Sequence, residues 1–200
     1  TRGEISILGG RPGHGKTTAM INIVKTCIEQ GLKVMVVNRE MTNVEMLKKL
    51  LVLESGELSY LAIRKGILND LETIAKLNDA KKKVLEKYSE DRFCMFDNLN
   101  TFSQSASEIK KFKPDIIFDD YIQLISPEQK FDHRRFQLEK LVNDYKWLAK
   151  SQNACVFLLS QLNRALEQRG DGRPKLSDIA ESGAIEQVAE NVLFVYYDFK

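Results

Sequence analysis

Apolar residues in this chain fall into two alternating kinds of run. The short continuous runs are Ile5-Ser6-Ile7-Leu8, Val34-Met35-Val36-Val37, Ile116-Ile117-Phe118 and Cys155-Val156-Phe157-Leu158-Leu159. Being β-branched or aromatic and rarely interrupted, they predict strands buried on both faces. Between them apolar positions recur at helical spacing. Residues 16–30 carry Ala19, Met20, Ile23, Val24 and Cys27, with Gly31 suited to end the helix. After a strand at 33–38, Thr42 or Asn43 caps a helix with apolar Val44, Met46, Leu47, Leu50 and Leu51. A more polar stretch predicts a short helix around Leu58, Leu61 and Ile63, a break at Gly66, and a longer helix at 70–88 with Leu71, Ile74, Leu77, Val84 and Leu85. A strand at 92–96 then leads to a helix at 103–112, with Ser103 and Ser105 as candidate caps, and to a strand at 115–120. A long helix at 131–151 turns Phe136, Leu138, Leu141, Val142, Tyr145 and Leu148 inward, followed by strands at 154–159 and 192–197. Strands alternating with helices predict an α/β fold, a mainly parallel sheet sandwiched by helices.

Two hundred residues suit one domain with an ample core. The net charge of +2 gives no strong general attraction to nucleic acid, so any such contact must come from local patches. Cys27, Cys94 and Cys155 are far apart and form no C-x-x-C pair, which reads as reduced core cysteines of a cytosolic protein. No apolar run approaches the ~20 residues of a membrane-spanning helix. The chain opens at Thr1-Arg2-Gly3 almost directly on a strand, which predicts a domain excised from something longer. Lys81-Lys82-Lys83 reads as a solvated helix face.

Chemistry concentrates after the first strand. Gly10, Gly15, Lys16 and Thr17 fit the phosphate-loop pattern G-x-x-x-x-G-K-S/T, between a buried strand and a helix as that pattern requires. Backbone N–H groups across Gly10, Arg11, Pro12, Gly13, His14, Gly15, Lys16, Thr17 and Thr18 can cradle phosphate oxygens at the positive end of the helix dipole. Lys16 would reach the outer phosphates and the Thr17 hydroxyl would ligate Mg²⁺, so the expected ligand is a nucleoside triphosphate. In parallel sheets ligands lie beyond the carboxyl ends of the strands, so Glu40, Asp97, Asp120 and Gln161 should converge on it. Asp119 and Asp120 close an apolar strand in the manner of a Walker B element, but spacing alone does not say which faces the metal. Glu40 ends the second strand, expected beside the phosphate-loop strand. It suits a base for the attacking water, or a simple ion-pair partner of Arg39 or Lys16. Gln161 can hydrogen-bond the γ-phosphate or the attacking water and report nucleotide state to the loop that follows, or be an ordinary polar strand end. That loop, 163–175, holds Arg164, Arg169, Arg173 and Lys175 with few aromatics, which suits phosphate-backbone contacts or plain solvation.

Five blocks recur in a familiar order: Gly-Arg-Pro-Gly-His-Gly-Lys-Thr, Asn-Arg-Glu-Met, Asp-Asp-Tyr-Ile-Gln-Leu, Leu-Ser-Gln-Leu-Asn-Arg and Leu-Ser-Asp-Ile-Ala-Glu-Ser-Gly-Ala-Ile-Glu-Gln. Together they resemble the C-terminal, RecA-like P-loop motor domain of DnaB-type replicative DNA helicases. The resemblance implies ATP hydrolysis at subunit interfaces of a homo-hexamer, driving 5′→3′ translocation on single-stranded DNA and duplex unwinding. It implies a cytoplasmic replisome setting, with a primase and a helicase loader as partners. It assigns Glu40 as catalytic base, Asp120 as the metal-associated aspartate, with Asp119 where an apolar residue is usual, and Gln161 as nucleotide sensor. The segment from Asp178 to Gly183, with Glu181, Ser182 and Gly183 as DNA-binding residues, resembles the DNA-contacting loop, although Ala180 stands where arginine is common. The family's collar domain, linker helix and trans-acting basic pair are expected to lie outside these residues. The resemblance therefore implies slow hydrolysis and a mainly monomeric state for the domain alone. A RecA-like recombinase and a non-unwinding DNA-dependent ATPase share the fold and remain rival functions here.

Overall fold

The computed structural model describes residues 1–67, 70–163, 166, 169, 172–179 and 183–197. Six strands form one sheet: β1 (Ile5–Gly10), β2 (Val34–Asn38), β3 (Phe93–Phe96), β4 (Ile116–Asp120), β5 (Cys155–Gln161) and β6 (Asn191–Val195). Their spatial order is β3-β2-β4-β5-β1-β6, and every pairing is parallel. All carboxyl ends therefore share one edge. The helices are α1 (Lys16–Glu29), α2 (Asn43–Ser55), α3 (Tyr60–Lys65), α4 (Leu71–Lys87), α5 (Phe102–Phe112), α6 (Arg134–Gln152) and α7 (Gly183–Val188).

Strand parity divides the core in two. Ile5, Ile7, Met35, Val37, Ile117, Val156 and Leu158 face α5, α6 and α7. Leu8, Val34, Val36, Ile116, Phe118 and Leu159 face α1, α2 and α4. Because successive side chains alternate between faces, Asp119 and Asp120 necessarily fall on opposite ones.

Three expectations need correction. β2 is not beside β1; β4 and β5 lie between them. Parallel neighbours need a crossover rather than a tight turn, and α1 carries the chain across both intervening positions. The cap of α5 is Thr101, not Ser103 or Ser105: its hydroxyl accepts from the Gln104 N–H, and Gln104 reaches back in a capping box. Phe136, expected inward, is exposed, as are the apolar residues Val44 and Leu47 of α2 and Leu71, Ile74 and Leu85 of α4. The turns that sink are Met46, Leu50 and Leu51 on α2, Leu77 and Val84 on α4, and Leu138 to Leu148 on α6. Thr42 does cap α2, in a box with Glu45, and Gly31 has the left-handed φ of 83° expected after α1.

Candidate nucleotide site

The loop between β1 and α1 is shaped by what glycine permits. Gly13 and Gly15 have φ of 77° and 90°, a region side chains disfavour. At Gly10 an added Cβ would lie 2.7 Å from Lys16 Cγ and 3.0 Å from the Val195 carbonyl oxygen. The absence of a side chain there makes room for the Lys16 stem. Lys16 is 6% exposed and its ammonium donates to the Gly10 carbonyl at 3.0 Å. Burial lowers its pKa, opposed by the negative charges of Asp120 and Glu40. Gly10 is in register with Gln161 on one side and Val195 on the other, so β5 and β6 flank the loop. A cleft of 490 Å³ opens along it, lined in part by Gly13, His14, Gly15, Thr18 and Tyr197. Arg11 and His14 sit in the loop partly covered, while Pro12 and Thr18 are exposed.

The two aspartates are separated by geometry. Thr17 donates its hydroxyl to Asp120 Oδ2 at 2.9 Å. Asp120 is 2% exposed, and its other oxygen, Oδ1, is buried without a hydrogen-bond partner among the described residues. Burial pushes the Asp120 pKa up to about 6, with the Thr17 hydrogen bond pulling it down and Glu40 adding to the rise. A hydroxyl and a carboxylate with one oxygen buried and unpartnered, beside a phosphate cradle, suit a hard, oxygen-seeking divalent cation.

Asp119 on the other face belongs to a different arrangement. Arg39 Nε and Nη2 donate to its two oxygens at 2.6 and 2.8 Å. The Tyr145 hydroxyl also donates to Asp119 Oδ2. Arg39 further donates to Ser105 Oγ at 2.9 Å and to the Leu99 carbonyl. Burial disfavours the Arg39 charge, but the Asp119 carboxylate outweighs it and leaves the guanidinium pKa above its usual value. Arg39 is thus the partner of Asp119 rather than of Glu40. Glu40 is exposed, within electrostatic reach of Lys16 and Asp120. Asp97 does not join the cluster. It accepts the Asn43 N–H at 2.8 Å at the start of α2, because β3 is the far edge of the sheet.

Gln161 is held through its backbone. Gln123 Oε1 accepts the Gln161 N–H at 3.3 Å, and Gln123 Nε2 donates to Ser160 Oγ at 2.8 Å. Gln123 and Arg39 are the residues that reading the sequence did not single out. Gln123's signal was a lone amide inside the apolar run Tyr121-Ile122-Gln123-Leu124-Ile125. Arg39's was a cation immediately after one buried strand, opposite in sign to Asp119 near the end of another.

Leu162 bridges antiparallel to Ile179, so the segment between them leaves and returns at the Gln161 end of β5. Within it Arg169 is paired to Asp178, which also accepts the Lys175 N–H at 2.7 Å. Arg173 and Lys175 are exposed. Arg164, Ala180, Glu181 and Ser182 lie outside the described residues, and Gly183 begins α7.

The family model for the DnaB-like helicase C-terminal domain matches residues 1–200. The chain belongs to that family. It is 35% identical over 208 residues to the replicative DNA helicase DnaB of Rickettsia prowazekii (strain Madrid E), covering 96% of this chain and 42% of that protein. It is 33% identical to the DnaB of Helicobacter pylori (strain J99), covering 98% and 40% respectively. A solved DnaB-like replicative helicase, described with its interactions with primase, aligns at a TM-score of 0.91 with 29% identity, over 98% of this chain and 48% of that one. The chain thus spans about two fifths of the length of these curated relatives. Membership in this DnaB-like family implies nucleotide binding, and no helix among the described residues is long and apolar enough to cross a membrane.

Proposed function

We propose that this DnaB-like domain is the ATP-hydrolysing motor of a replicative DNA helicase, moving 5′→3′ on single-stranded DNA and separating the duplex ahead. The observation that carries the reading is the Thr17–Asp120 hydrogen bond beside the buried Lys16, at the mouth of a glycine loop that a side chain would fill.

In this reading Arg11 to Thr18 wrap the phosphates of ATP, and Lys16 exchanges its Gly10 carbonyl contact for the outer phosphate oxygens. Thr17 and Asp120 are the residues that would hold Mg²⁺. When bound, the ion neutralises charge on the β- and γ-phosphates. Glu40 accepts the proton of the attacking water as the new oxygen–phosphorus bond forms and the bond to ADP breaks. Gln161, in register with Gly10, senses the γ-phosphate and passes its state to the segment beginning two residues later. Arg164, Arg169, Arg173 and Lys175, with Glu181, Ser182 and Gly183, meet the DNA backbone.

The working assembly is a homo-hexamer in which a neighbouring copy supplies the trans-acting basic residues. The domain 1–200 is one motor unit of it, acting in the cytoplasmic replisome with primase and a loader. The primase contact is supported by the solved relative's description. The recombinase and non-unwinding alternatives share the fold but not the family. A forked-duplex assay with the full-length protein tests the proposal: ATP-dependent strand separation from a 5′ tail is expected. Rapid DNA-stimulated ATP turnover without strand separation would overturn it.

A further inference from the structure

Glu40 sits in a three-residue bend, 39–41, between the end of β2 and Thr42, the cap of α2. Its side chain makes no hydrogen bond or ion pair among the described residues. Its position is therefore inherited from the two ends of the bend. At the α2 end, Asn43 is held by Asn38 at 3.0 Å, by Asp97 at 2.8 Å and by the Met95 carbonyl at 3.2 Å. At the β2 end, the Arg39 N–H donates to the Asp120 carbonyl at 2.7 Å, one step beyond the Asn38–Asp120 rung.

The Arg39 side chain then reaches the opposite face of the sheet and closes a two-pronged contact on Asp119, with side chains 3% and 0% exposed. Ser105 of α5, the Leu99 carbonyl and Tyr145 of α6 complete the surround. A buried pair adds little stability over apolar residues of the same volume. What a fork on a carboxylate adds is orientation, because two parallel N–H bonds fix the plane of the contact. Here that plane joins the residue before Glu40 to the residue before Asp120.

We propose that Arg39 is a positioning residue for ATP hydrolysis: its clamp on Asp119 fixes the bend that presents Glu40 and locks it in register with Asp120. The proposal rests on the reading of Glu40 as the base. The test is steady-state and single-turnover ATP hydrolysis by the full-length protein, well below its unfolding midpoint. Arg39→Lys keeps the charge and loses the fork. Since a misplacement of ~1 Å can cost on the order of 10²-fold, kcat should fall at least roughly tenfold, with KM and ADP affinity little changed. In a Glu40→Gln background the same change should produce no further fall. Asp119→Asn, which keeps the side-chain shape, should give the same split and serves if Arg39→Lys folds poorly. A normal kcat in Arg39→Lys and Asp119→Asn, or an undiminished further loss without Glu40, would overturn the clamp. Wild-type turnover by Glu40→Gln would instead overturn the reading of Glu40, and the clamp with it.

Discussion

Truncating Asp119 to alanine strips the counter-charge from a guanidinium that is 3% exposed and removes the acceptor of the Tyr145 hydroxyl. The Leu99 carbonyl and Ser105 hydroxyl still accept from Arg39, but neither neutralises it. Removing one member of a buried pair costs about 3–5 kcal/mol, because the survivor stays buried and uncompensated. The stranded tyrosine hydroxyl alone would cost about 1–3 kcal/mol, and the two losses overlap since one carboxylate serves both. We therefore expect a total near 4 kcal/mol, which for a domain of this size corresponds to a fall in Tm of roughly 8–16 °C. Replacing both partners, Arg39→Leu with Asp119→Leu, should recover the part of that loss due to the unpaired charge, while the Tyr145 hydroxyl stays without its acceptor. Urea and thermal denaturation followed by circular dichroism measure both variants, with an unchanged m-value as the check that unfolding exposes the same surface. If Asp119→Ala lay within about 1 kcal/mol of the parent, the range of an exposed pair, the account of this network would be refuted.

Gly10→Ala should fold but bind ATP poorly, since its methyl would stand 2.7 Å from the Lys16 stem and displace it; wild-type affinity in a nucleotide titration would contradict this. Asp120→Asn should weaken the Mg²⁺-dependent part of ATP binding on the order of 10–100-fold, the usual cost of losing a partner just outside a metal's ligands. The readout is ATP affinity with and without Mg²⁺, and an unchanged ratio would count against Asp120 as the metal-side residue. Thr101→Ala should cost about 1 kcal/mol by removing the cap of α5, while Ser103→Ala stays within about 0.5 kcal/mol. Equal losses in denaturant melts would contradict the cap assignment.

The parts of the fold most legible in the sequence were the ones that physical chemistry constrains locally. β1, β2 and β4 are buried along their whole length and β5 is half-buried only at Cys155, Phe157 and Gln161, so their sequences run mostly apolar with little alternation. The phosphate loop was legible because few residue types tolerate its backbone at Gly13 and Gly15. Sheet order was not legible, since a crossover helix of the same length can pass over one strand or two. Nor was the exposure of Leu71 and Leu85, because helical spacing marks a stripe without saying how wide a surface covers it. The choice between Asp119 and Asp120 needed the parity of β4 against α1, and that parity is set by residues remote in sequence. Arg39 and Asp119 are likewise remote, and only folding shows that a charge ending one strand answers a charge ending its neighbour.

In the proposed function the loop from Gly10 to Thr17 is the site of a nucleoside triphosphate, and Lys16 holds its outer phosphates. Calorimetric titration of ATP with Mg²⁺ into the full-length protein and its Lys16→Ala variant tests it most directly. Saturable binding by the parent is expected, with a loss on the order of a hundredfold in the variant, the value of a buried charge-assisted contact, and no change in Tm large enough to signal misfolding. A folded Lys16→Ala protein with the parent's affinity would contradict it.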